Sequence, residues 1–335
     1  MADPSAQAPQ NGSAGGSGKA PDFWRRTPPA LFPALFGLFG LGLAWRAAAQ
    51  AMPNGVPPFM GEAVLAIASL LYLFCFSAYI SKISYRLDVI FEDILTPPGR
   101  AGAATMTLCL FLFSAALAPY AGTLASVVLW IGLLAHSAMA ACALLVMSQQ
   151  TLGLKVTPAW HLSFVGFILA PLAAVPLGWS ALSWLILLVT LVVAFVLYLV
   201  SLMQLRADAV PAPMRPLLVV HLAPVSLFAT VCGLLGWTGA SLVFVVLATG
   251  LGGLLASRVL YLTAAGFSPM WGAFTFPVAA LATALFTTSA LAAGLAWLGL
   301  LPLVAATLLT PYIAARIVLM WINGTLAAKT GAGIA

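Results

Sequence analysis

The chain has 335 residues, 63% of them hydrophobic and only 6% charged, with a mean hydropathy of +1.11. A water-soluble domain would need several times more charge for its surface alone, so the bilayer is this chain's solvent. The net charge is +6, and no nucleic-acid partner is expected.

Residues 1–27, rich in Ala, Gly, Ser, Pro and Gln, lack an apolar signal-peptide core and read as a disordered cytoplasmic tail. Its serines, Ser5, Ser13 and Ser17, are too few to argue regulation. Residues 28–325 read as one transmembrane domain, followed by a cytoplasmic tail over 326–335. A spanning helix needs about 20 apolar residues at roughly 1.5 Å rise each. That length predicts ten spans, near 30–50, 60–82, 103–119, 123–148, 158–176, 179–203, 215–234, 238–261, 270–293 and 298–322. Turn chemistry at Pro119 to Gly122, Pro176 to Gly178, Gly233 to Gly239 and Gly294 to Gly299 divides the longer apolar runs.

Positive charge falls on alternate turns. Lys19, Arg25 and Arg26 precede the first span; Lys82, Arg86 and Arg100 follow the second; Lys155, Arg206, Arg215, Arg258, Arg316 and Lys329 mark the same face later, and only Arg46 lies toward the other. The positive-inside rule then places both termini and the longer loops in the cytoplasm, with the protein multi-pass in the inner (plasma) membrane. The one substantial cytoplasmic connector, Ser84 to Gly102, sets Asp88, Glu92 and Asp93 beside Ile90, Phe91 and Leu95, and forms either a short interfacial helix or a plain loop. Cys75, Cys109, Cys142 and Cys232 all fall within spans without metal-ligand spacing and read as small packing residues. No metal or cofactor is expected.

Internal prolines distinguish the spans. Pro33, Pro171, Pro224 and Pro277 fall in the first, fifth, seventh and ninth; the second, fourth, sixth and eighth have none; the third carries only terminal Pro119, and the tenth has Pro302 and Pro311. Proline inside a helix removes an amide donor and frees the carbonyl four residues back, here those of Phe167, Val220 and Ala273. In lipid such carbonyls need partners or a water-filled cavity, so kinked helices belong inside the bundle. The expected architecture is all-α, five helical hairpins with the odd helices forming a central quasi-fivefold pore and the straighter even helices outside. The alternative is that the prolines simply kink packed helices.

No span carries a carboxylate in its middle, which leaves a cation path without ligands and favours small anions by elimination. The basic mouth would enrich anions within a screening length of about 10 Å. Glu62 and Arg46 sit near each other at the outer ends of the second and first spans, as a structural pair or an outer-vestibule feature. Of the three histidines, His136 is in the fourth span, His161 opens the fifth and His221 precedes Pro224 in the seventh. His161 and His221 could line the pore or relay protons, or could be satisfied by neighbouring carbonyls; they are too scattered in sequence to suggest a metal site. No HExxH or GxSxG motif and no pair of intramembrane aspartates points to an enzyme, and Ser268 in Gly-Phe-Ser-Pro has no adjacent base.

Four stretches carry a resemblance: PPALFPALFGLFGLGLAWRAAA (Pro28 to Ala49), TPAWHLSFVGFILAPLAAVPLG (Thr157 to Gly178), PMRPLLVVHLAPVSLFA (Pro213 to Ala229) and MWGAFTFPVAALATA (Met270 to Ala284). They resemble the tellurite-resistance/dicarboxylate transporter family, which includes the slow-type anion channels of plant guard cells. The resemblance implies ten helices in five hairpins, a homotrimer with one pore per subunit, and an aromatic gate immediately before the proline of the ninth helix, here Phe276. Phe274 would point about 200° away from it round a regular helix. Where the family often shows Asn after Phe-Val-Gly this chain has Phe167, a candidate second constriction. Where Phe is common after Pro-Ala-Trp it has His161, and the usual proline inside helix 3 is missing. The function so implied is an anion channel with a phenylalanine-plugged, largely uncharged pore for small inorganic or carboxylate anions; the alternative is a proton-coupled exporter of tellurite, sulfite or a dicarboxylate, with His161 or His221 titrating.

Overall fold

The computed structural model describes residues 23–148, 156–292 and 294–333; Lys19, Lys155, the tail serines and most of the predicted N-terminal tail lie outside them. Among the described residues the structure is entirely helical and turn, with no strand. The apolar segments are α1 (Pro29–Ala51), α2 (Phe59–Tyr85), α3 (Pro97–Leu117), α4 (Gly122–Ser148), α5 (His161–Ala174), α6 (Ser180–Ala207), α7 (Ala212–Leu234), α8 (Thr238–Ser257), α9 (Pro269–Thr288) and α10 (Gly294–Ile322). Nine of these, all but α5, are long and apolar enough to cross a membrane.

The fifth span is shorter than expected because it is not one regular helix. It runs as a π turn over His161–Val165, a 3-10 turn over Gly166–Leu169 and a single α turn over Pro171–Ala174. The Phe167 carbonyl, which Pro171 cannot bond, accepts instead from the Ala170 amide at 2.9 Å. The kink therefore leaves no orphan acceptor there. Helix α7 is built similarly, 3-10 over Ala212–His221 and α from Leu222, with Pro224 in the first α turn. Pro277 does lie inside an α-helix. Pro33 stands in the first turn of the α-helical part of α1, where a missing N–H costs nothing, as Pro171 does in the α turn of α5. Gly178 and Gly236, at φ +86° and +78°, close α5 and α7 with backbone turns that a side chain would strain.

Burial divides the helices into two sets. The apolar windows of α1, α3, α7 and α9 are 67% to 78% buried within the protein, whereas those of α2, α4, α6, α8 and α10 are 17% to 39% buried. The second set turns large side chains such as Leu70, Leu134 and Leu301 outward, as a lipid-facing layer must. Inner helices pack in the order α1, α3, α5, α7, α9 and back to α1, and each also packs against the outer helix that follows it.

At the end where the inner helices begin, arginines lie across aromatic rings of neighbouring elements: Arg25 over Tyr85 at 4.4 Å, Arg215 over Tyr261 at 4.0 Å and Arg316 over Phe267 at 4.4 Å. The connector forms a short helix over Val89–Leu95 that buries Val89, Asp93 and Ile94 and exposes Phe91 and Leu95. Asp93 meets Lys82 at 2.9 Å with both side chains fully buried. Tyr79 donates to the same carboxylate, Lys82 also donates to the Thr27 carbonyl, and the Gly333 amide donates to Asp93 Oδ1. Lys82 is thus neutralised inside the protein, and the C-terminal segment, helical over Thr325–Thr330 with Leu326 buried, folds onto this end.

Candidate functional site

Two cavities lie among the inner helices, and every residue lining them comes from α1, α3, α5, α7 or α9. The first, about 40 Å³, is bounded by the opening turns of α1, α3 and α9 through Ala30, Pro98 and Pro269, and by α5 and α7. The second, about 20 Å³, lies further along α3 and α7, at Leu108 and Leu227. Neither lining contains a charged side chain; Thr105 is the polar residue of the first and His161 of the second. Helix beginnings carry partial positive charge, and the opening turns of α1, α3 and α9 border the first cavity.

Five residues border both cavities: Phe36, Leu162, Val220, Ala223 and Phe276. Phe276, 4% exposed, stacks on Phe36 with ring centroids 3.9 Å apart and planes 22° from parallel. Its far edge lies over Gly40, where a β-carbon would come within 2.7 Å of Cδ2. One turn earlier Gly37 admits Thr275, whose hydroxyl donates to the Pro33 and Gly272 carbonyls and locks α9 to α1. The Phe276 ring therefore sits in a slot built by α1, between Phe36 and a glycine.

The other expected site residues divide. Phe274 turns away from both cavities and packs edge-on against Trp271 at 5.6 Å. Phe167 borders neither cavity and is corrected as a second constriction: its ring lies 4.6 Å from His136 and 6.5 Å from Phe111, between α3 and α4. In the 3-10 turn its neighbours Gly166, Ile168 and Leu169 face the second cavity instead. Pro33 and Pro277 line the first cavity and Pro224 the second; Pro171 lines neither.

Arg46 and Glu62 form a two-pronged pair, Nε to Oε1 and Nη2 to Oε2, each 2.7 Å. Arg46 also donates to the Ala115 and Ala116 carbonyls at the end of α3, where helix geometry leaves acceptors open. Neither residue lines a cavity, so the pair ties α1, α2 and α3 together. Tyr120, beyond α3, lies beside the same carboxylate, which raises its phenol above the ordinary range.

The histidines, scattered in sequence, are partly gathered in space. His161 Nε2 lies 3.0 Å from His221 Nδ1. Tyr198 of α6 covers both rings and donates its hydroxyl to the His221 carbonyl at 2.6 Å. His136 is elsewhere, its Nδ1 2.8 Å from the Thr107 hydroxyl. Among the described residues no group of His, Cys, Asp or Glu is placed to hold a metal ion.

Phe36 and Gly40 escape a reading of sequence because an aromatic stack and a close approach are properties of two helices together. The one available signal was the run of glycines among large residues at Gly37, Gly40 and Gly42, which marks a face open to a neighbour.

An all-helical bundle with a lipid-facing outer layer and an uncharged, cavity-bearing centre defines a polytopic membrane transport protein. The chain belongs to the voltage-dependent anion channel family, whose pattern it matches over residues 26–318, the family of the tellurite-resistance and slow-type anion channels. It is accordingly a membrane protein of anion transport. No curated protein matches the chain.

Proposed function

We propose that the protein is a passive, weakly gated channel for small anions, its path running through the two cavities and plugged between them by Phe276 stacked on Phe36. The observation that carries this is the position of Phe276: a buried ring that borders both cavities and is held by a stack and a glycine slot rather than by a hydrogen bond. An aromatic stack contributes about 1 kcal/mol beyond its buried area. A ring so held can swing aside as a minor conformation, which suits weak gating.

Five hairpins around a quasi-fivefold pore, with α5 as its broken member, account for the burial pattern and the packing order. In the membrane the arginine-bearing end faces the cytoplasm, the termini lie on that side, and three copies assemble with one pore each, in the inner membrane. Selectivity arises from the positive ends of the inner helices and from the arginines at the mouth, since the path holds no charged side chain. In planar bilayers under a KCl gradient, Phe276→Ala channels should reverse near the chloride equilibrium potential; reversal near that of potassium would sink the anion assignment. A second reading, a proton-coupled exporter, draws support from the His161–His221 contact beside the second cavity.

A further inference from the structure

A third cavity, about 280 Å³, opens at the side of the bundle between the approach to α5, the end of α6 and the start of α7. Thr157, Ser201, Gln204, Asp208 and His221 are its polar lining residues. His221 therefore borders this side pocket while His161, hydrogen-bonded to it at 3.0 Å, borders the second axial cavity. The two rings lie in contact between the side pocket and the second cavity, while Leu217 borders both the pocket and the first cavity. Both are more than nine-tenths buried, and Nδ1 of His161 has no hydrogen-bond partner among the described residues.

Resting on the anion-path reading above, we propose that His161 and His221 form a proton relay from the side pocket to the second axial cavity, bypassing the Phe276 ring. The transfer balances atom by atom. A proton from the pocket binds Nε2 of His221, the His221 Nδ1–H bond breaks as that proton joins Nε2 of His161, and the proton on Nδ1 of His161 leaves for an anion in the cavity. Reorientation of the rings restores the starting tautomers. Histidine suits this because each neutral ring has one donor and one acceptor nitrogen.

The surroundings leave the pair in control of the step. Tyr198 covers both rings from α6, and its hydroxyl is engaged by the His221 carbonyl. Asp208 lines the pocket beyond α6. His136 packs on the far face of α5, next to Gly166 and Phe167, and is bonded to Thr107. The cavity linings from α1, α3 and α9 contribute no titratable group. The substrate class implied is an anion of a weak acid, able to accept the proton, rather than one that stays ionised.

The test uses the full-length protein in liposomes with a trapped pH dye, loaded with malate or with nitrate. Malate efflux should carry protons and nitrate efflux should not. His161→Gln and His221→Gln should each lower the protons moved per malate by about tenfold or more. Malate movement without protons in the wild type, or an unchanged ratio in both variants, overturns the relay and leaves the channel standing. If no anion moves in wild type or Phe276→Ala, the channel fails, and the relay is judged by 15N spectra of the histidine rings. The relay requires the ring tautomers of His161 and His221 to be coupled, so that the His161 resonances shift in His221→Gln; unchanged His161 resonances in that variant overturn it.

Discussion

At the scale of single residues, the site is a phenyl ring in a slot. Phe276 is held on one side by Phe36 and on the other by the missing side chain of Gly40. A methyl group at Gly40 must displace the ring, because 2.7 Å is closer than carbon atoms can pack. Gly40→Ala is therefore expected to raise anion efflux from liposomes several-fold; wild-type efflux from a folded variant would show that the slot does not hold the ring. Removing the stacking partner acts from the other side, so Phe36→Ala should raise efflux as well, though less than removal of the plugging ring itself. The proline in Ala-Phe-Thr-Phe-Pro, taken with the family resemblance, is what points to Phe276 in the sequence as the proposed gate. Its partners were not legible there, since Phe36 and Gly40 lie more than 230 positions away and nothing in their own helix says which neighbour they meet. Phe167 misled for a related reason: its direction depends on a 3-10 turn that apolar composition cannot distinguish from an α-helix.

At the scale of elements, the connector between α2 and α3 does more than join them. Lys82, Asp93, Tyr79, the Thr27 carbonyl and the Gly333 amide meet in one buried network, so the start of the chain, α2, the short helix over Val89–Leu95 and the C-terminal segment depend on a single carboxylate. Removing one partner leaves the other charge buried and uncompensated, a cost of about 3–5 kcal/mol. Asp93→Ala should therefore lower the melting temperature of the detergent-solubilised protein sharply, while Arg86→Ala, which breaks an exposed pair with Glu92, should barely move it. Equal, small shifts for both would remove the network from the account of stability. In the sequence Lys82 was legible only as a topological charge and Asp93 as one of three acids in a connector. The network needs residues brought together across 240 positions.

At the scale of the whole molecule, the alternation of helices was the most legible feature. Prolines cluster in odd-numbered spans, and it is the odd-numbered helices that are buried and line the cavities. The fifth span shows where such reading stops. Its composition is as apolar as the others, yet the backbone passes through three helical types and is shorter than the helices long enough to cross a membrane. The sequence likewise scatters His161 and His221, and only the packing of α5 against α7 sets them 3.0 Å apart. Assembly into three copies is tested by the mass of the protein in detergent, for which a trimer is expected and a monomer at all concentrations would contradict the proposal.

The measurement that bears most directly on the channel is single-channel conductance of the purified protein in planar bilayers, wild type against Phe276→Ala, in symmetrical chloride. A plug between two cavities requires a large rise in conductance, on the order of tenfold or more, when the ring is removed. Identical conductance in the two proteins, with the variant folded and inserted, would show that the Phe276 ring is packing and that the path is closed elsewhere.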